Sequence, residues 1–165
     1  MKKIKVISFC LTVISLALIF FFSSQTSAES NEVSEGFLTE VLDYMLNLLR
    51  LSGDDKKALI DTLHFLIRKC AHFTEFAVLG FSSFVMFRAW YRGSDYKIGI
   101  CAAELSAVWA IGDEIHQLFV DGRTSRFFDV CIDTLGALTG IMIFLMIRKI
   151  YLKYSRKLRR SNVDY

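Results

Sequence analysis

The chain has 165 residues, 53% of them hydrophobic, with 15 Phe, no Pro and a formal net charge of +3. That length allows one compact domain over residues 1–165, and the small charge calls for no nucleic acid. The apolar residues are gathered into blocks, which points to an all-α integral membrane bundle rather than a soluble core.

Four blocks predict four transmembrane helices, over residues 4–23, 70–88, 98–119 and 127–148, each near the roughly 20 residues that a spanning helix needs. The first, Ile4 to Phe22, is broken only by Lys5 and small polar residues. Its Lys-rich start and the following Thr26-Ser27-Ala28 have the form of a signal peptide and cleavage site. The apolar run is longer than such a peptide normally carries, so a retained helix is expected. Residues 24–69 form the outer segment, with eight acids against five bases between Ser23 and Lys69. Within it, Leu38, Val41, Leu42, Met45, Leu48 and Leu49 recur at helical spacing, which predicts an amphipathic helix from Phe37 to Arg50 lying at the outer interface. Ser52 or Asp54 caps a second outer helix through Ala58, Leu59 and Leu63, which runs into the second crossing.

Basic residues set the expected orientation. Lys2, Lys3 and Lys5 mark the N-terminus, Arg88, Arg92 and Lys97 the loop before the third block, and Arg148, Lys149, Lys153, Arg156 and Lys157 the start of a basic tail over residues 149–165. All three become cytoplasmic if the chain crosses four times with both termini inside. Trp90, Tyr91 and Tyr96 suit an inner aromatic belt. The four cysteines form no CxxC pair and read as small buried hydrophobes.

Ionisable groups within membrane blocks are costly and normally face a protein interior or a wet cavity. Arg68, His72 and Glu75 follow i, i+4, i+7 spacing and share a stripe. Asp113, His116 and Gln117 share a face of the third helix, with Glu114 about 100° away. In the fourth, Asp129, Asp133, Gly136 and Gly140 form a stripe that is polar at one end and small below, a face suited to close helix packing. By chain direction all three polar stripes fall at one depth in the outer leaflet, beneath a turn carrying Arg123 and Arg126. The expected object is an outward-facing acidic and histidine pocket.

Crowded carboxylates need cations. Arg68, Lys69, Arg123 and Arg126 supply some, and a divalent metal is another solution. His72-x-x-Glu75 and Asp113-x-x-His116 make His72, Glu75, Asp113 and His116 candidate metal ligands at the i+3 spacing used in helix bundles, with Zn, Mn or Fe suited to them. A bound metal would activate water, with a carboxylate as base. The order is not that of a His-Glu-x-x-His zinc site. Candidate catalytic groups are His72, Glu75, Asp113, Glu114 and His116. Candidate substrate-binding groups are Arg68, Gln117, Arg123, Arg126, Asp129 and Asp133, the arginines suiting a phosphate or carboxylate head group. Against this stands a structural network in which helices bond one another through buried Asp, His and Gln. Glu104 lies deeper, positioned to pair with Arg92 or Lys97 or to sit on a proton path.

Several motifs resemble the VanZ-like family of bacterial membrane proteins: Phe22-Ser23-Ser24-Gln25 after the first helix, Arg68-Lys69-x-x-His72-x-x-Glu75-Phe76, Asp113-Glu114-x-His116-Gln117-x-Phe119, and Gly122-Arg123 followed by Asp129-x-x-x-Asp133-x-x-Gly136. The family pattern often has Pro after Ser-Ser-Gln and before Gly-Arg; here Thr26 and Asp121 take those places. The resemblance implies a small helical protein of the bacterial cytoplasmic membrane, in a family linked to resistance to the glycopeptide teicoplanin, and carries no settled reaction. The expected function is therefore to bind or modify a lipid-linked or cell-wall intermediate in the envelope. The alternatives are a non-catalytic scaffold that limits access of the antibiotic, and a small transporter. Expected partners are the lipid bilayer and a lipid-linked cell-wall precursor or the glycopeptide itself; whether the chain is an enzyme is left open.

Overall fold

The computed structural model describes residues 2–25, 53–121 and 126–161, and within these every regular element is an α-helix. They are α1 (Lys2–Ser23), α2 (Gly53–Trp90), α3 (Asp95–Gln117) and α4 (Phe127–Ser161). The expected amphipathic helix from Phe37 to Arg50 lies outside the described residues. The second outer helix and the second crossing are one element, since α2 runs unbroken for 38 residues. Among the described residues, three helices are long and apolar enough to cross a membrane: Lys2–Ser23, Asp55–Trp90 and Phe127–Lys157. The 23 residues of α3 carry Asp95, Lys97, Glu104, Asp113 and Glu114, which lower its hydropathy.

Local chemistry fixes the ends. Ser94 is the N-cap of α3, its side chain accepting from the Lys97 N–H at 3.4 Å, and Asp95 sits in the first turn where the helix dipole favours an acid. The turn before α4 brings the Asp129 N–H to the Arg126 carbonyl at 2.8 Å, and Asp129 occupies the first turn of α4.

α1 is packed with its polarity reversed relative to a soluble helix. Its buried stripe is Ser8, Thr12, Ser15, Ile19 and Ser23, while Ile7, Phe9, Leu11, Ile14 and Phe21 are all more than half exposed. Small hydroxyls inside and large apolar groups outside suit a hydrocarbon solvent, where close packing rather than apolar burial drives helix association. The hydroxyls are satisfied within the helix: Thr12 donates to the Ser8 carbonyl and Ser15 to the Leu11 carbonyl.

α2 touches all three other helices, and its interface with α4 is the largest in the bundle. That interface is made of backbone. A Cβ placed on Gly80 would overlap the carbonyl of Ala137, one on Gly136 the carbonyl of Phe73, and one on Gly140 the carbonyl of Ala77. Apolar side chains fill the space on either side. Phe76, Leu79, Ala110, Ala137 and Ile19 form one buried cluster, and Phe84, Ile98, Ala102 and Ile141 form a second nearer the start of α3.

This packing makes a sharp contrast among the glycines. Gly140→Leu must separate α2 from α4, so loss of the folded bundle is expected, with destabilisation of at least about 1–3 kcal/mol from overpacking. A Cβ at Gly112 has open space around it, so Gly112→Ala should be neutral or raise stability by up to about 1 kcal/mol through helix propensity. Fluorescence-detected size exclusion and thermal melts of detergent-solubilised protein compare the two.

Candidate functional site

The end of the bundle where α1 and α3 finish and α4 begins gathers buried charge. Asp113, Glu114 and Gln117 of α3 and Asp129 and Asp133 of α4 are each no more than 6% exposed, and His72 of α2 is 9% exposed. Of the residues expected in one pocket, these six are buried in this region, while Glu75 and His116 are only partly buried.

Four contacts fix the arrangement. The Gln117 side-chain amide donates to Ser23 Oγ at 3.0 Å and to Asp113 Oδ2 at 2.8 Å, which ties the end of α1 to the last turn of α3. The Lys69 ammonium on α2 lies 2.5 Å from Asp129 Oδ2 on α4. The Arg126 backbone N–H donates to Glu114 Oε2 at 2.9 Å, so Glu114 holds the entry to α4. Three of them join different pairs of elements and the Gln117–Asp113 bond lies within α3; each is worth more in a low-dielectric setting than it would be in water.

Within this frame, side-chain ligand atoms of His72, Asp113 and Asp133 all lie within 4.8 Å of one another. One imidazole and two carboxylates, each from a different helix, form a donor set that suits Zn, Mn or Fe. A three-residue set leaves coordination positions for water or substrate, as catalytic metal sites do. This differs from the ligand set expected from i+3 spacing. Glu75 is absent from the converging group and lines a groove between α1 and α2 with Ser15, Leu18, Cys70 and Val78. His116 is also absent; its ring lies against Phe20 of α1 at 4.6 Å, centroid to centroid, tilted by 46°. The physical reason is the same for both. Three residues along a helix return about 60° short of a full turn, enough to carry Glu75 and His116 from the α4 side to the α1 side. Asp133, expected among substrate-binding groups, takes the vacated place.

The remaining candidates divide. Arg68 is half-buried on α2, Arg126 is exposed, and Arg123 lies outside the described residues. Glu104 is exposed on α3, with no ion pair among the described residues to Arg92 or Lys97. All four cysteines are free thiols, three exposed and Cys131 half-buried rather than the buried hydrophobes expected. Sequence reasoning places Ser23 in the Phe22-Ser23-Ser24-Gln25 motif but gives it no role in the site. Its signal was the spacing Ser8, Thr12, Ser15 and Ser23, a small polar stripe inside an apolar block.

The family described as VanZ/LLP1 matches residues 8–148, which includes all the site residues above. No curated protein and no solved structure matches the chain.

The Lys69–Asp129 pair lends itself to a test of partner dependence. Lys69→Met leaves the Asp129 carboxylate buried without its ammonium, and breaking such a pair costs about 3–5 kcal/mol. Replacing both, as Lys69→Met with Asp129→Leu, should recover most of that loss. Unfolding of all three proteins in mixed micelles measures the coupling.

Proposed function

The chain belongs to the VanZ/LLP1 family, and from that premise we propose that it is a multi-pass protein of the bacterial cytoplasmic membrane acting in glycopeptide (teicoplanin) resistance. In this reading the buried cluster holds a divalent cation on His72, Asp113 and Asp133. The cation, together with Arg68 and Arg126, receives the phosphate or carboxylate of a lipid-linked cell-wall intermediate. The single observation that carries it is the convergence of one imidazole and two carboxylates within 4.8 Å in a nearly closed site.

The charge balance supports a cation there. The five acidic or histidine side chains Asp113, Glu114, Asp129, Asp133 and His72 share one end of the bundle, and the ammonium of Lys69 is already committed to Asp129. Carboxylates held close together cannot all remain ionised without positive charge. A bound metal supplies it, and would lower the pKa of a coordinated water so that modification, and not only binding, becomes accessible.

Four crossings follow if α3 spans the membrane alongside its neighbours. Its 23 residues measure about 35 Å, enough for a hydrocarbon core of about 30 Å. α1 reaches the site through Ser23, which supports retention of this helix in the working protein. With the site outside, Lys5, Arg88 and Arg148 fall inside, in keeping with the positive-inside rule.

A second reading has its own support. The Gln117–Ser23, Gln117–Asp113 and Lys69–Asp129 contacts are also what a purely structural network would contain, and such a protein would act as a scaffold that limits teicoplanin access. Asp133→Asn and His72→Asn separate the two. On the metal reading, the purified wild type carries near-stoichiometric metal by elemental analysis. Both variants keep wild-type membrane abundance, lose the metal and lose the teicoplanin phenotype. Retained resistance in metal-free, folded variants would leave the scaffold.

A further inference from the structure

The opposite end of the bundle carries a second charged feature, and it is basic. α4 continues well past the length a membrane requires. The 21 residues from Phe127 to Ile147 measure about 31 Å, close to the hydrocarbon thickness, yet the helix runs on to Ser161. Arg148 therefore stands at head-group level and the following three turns lie beyond it. Along that extension Leu145, Lys149, Leu152 and Arg156 follow i, i+4, i+7, i+11, with Lys153 and Lys157 beside them.

These side chains line a cavity of about 980 Å³ together with Arg148 and Asp95, the first residue of α3. The acid is already neutralised: Arg148 pairs with Asp95, and the Arg88 guanidinium lies 3.8 Å from the same oxygen. Lys149, Lys153, Arg156 and Lys157 have no ion pair among the described residues. The cavity is thus strongly positive, with Leu145 and Leu152 as an apolar floor. Topology signalling requires basic residues near this end. It does not require four of them to share a cavity with two leucines.

We infer that this cavity binds the head group of an anionic phospholipid from the adjoining leaflet. Charge complementarity selects an anion, and Lys and Arg at a membrane surface each attract anionic lipid. The apolar floor selects an amphiphile over a soluble phosphate. The phosphate of a phosphatidylglycerol would sit between Lys149 and Lys153, and its glycerol and first methylenes would cover Leu145, one turn to the membrane side of Lys149. This site is remote from the acidic cluster and owes nothing to a metal there.

The test is native mass spectrometry of the delipidated full chain in detergent, titrated in parallel with dioleoylphosphatidylglycerol and dioleoylphosphatidylcholine. The wild type should retain phosphatidylglycerol at least tenfold more tightly. Each basic side chain contributes a factor of about five, so Lys149→Gln, Lys153→Gln, Arg156→Gln together should lower that affinity about a hundredfold and abolish the preference. The equivalent change at Lys2→Gln, Lys3→Gln should leave it. If the triple variant misfolds, Lys153→Gln alone should lower the affinity about fivefold. Equal retention of the two lipids by the wild type, or an unchanged preference in the folded variants, overturns the inference. So does displacement of the lipid by glycerol 3-phosphate at equal concentration, which would make the site one for soluble phosphate.

Discussion

The contact between α2 and α4 at Gly80, Gly136 and Gly140 sets the distances on which the acidic site depends. Backbone meets backbone along this line because a Cβ at any of the three would overlap a carbonyl on the other helix. His72 precedes the Phe73 whose carbonyl abuts Gly136, and Asp133 stands one turn before that glycine. The imidazole and the carboxylate therefore approach only as closely as the glycine contact permits. Wider packing, of the kind that leucines impose, would move them apart and dissolve the three-residue convergence. In hydrocarbon this contact also carries much of the association energy, since small residues let dispersion act over the whole helix face.

Against that rigid pair, α3 is held by directional bonds. Its polar last turn reaches Ser23 through Gln117 and the start of α4 through Glu114, while its lower half packs by Ala102 and Ile98 against Phe84 and Ile141. Polar groups thus fix the end that carries the cluster, and apolar groups fix the end that does not. The division follows from dielectric: a hydrogen bond gains most where water is excluded, and an unmet one costs most there. α1 contributes to both by turning its hydroxyl stripe inward and its phenylalanines outward.

Much of this was legible in the residues. The helical blocks and the Gly136-x-x-x-Gly140 face both follow from a period of 3.6, as does the placing of His72, Asp113 and Asp133 on inward faces of three helices. What periodicity does not supply is rotation. His72 and Glu75 belong to one stripe by spacing, as do Asp113 and His116, yet within each pair one member faces α4 and the other α1. A stripe spans a good part of a helix surface, and the partner of each edge depends on which neighbour lies there. The roles of Ser23 and Gly80 were missed for a related reason. A serine or glycine in an apolar block has no charge to announce it, and its role becomes visible only when another helix lies against it.

The two ends of the molecule apply opposite rules to the same cost. At the cluster end, Asp113, Glu114, Asp129 and Asp133 are buried together, and the Lys69 ammonium pairs with one of them, Asp129. At the tail end, cations line an open cavity beside a membrane whose surface can supply the anions. The glycine contact of α2 and α4 lies between the two ends and fixes how these helices sit against each other, because backbone in direct contact leaves no slack.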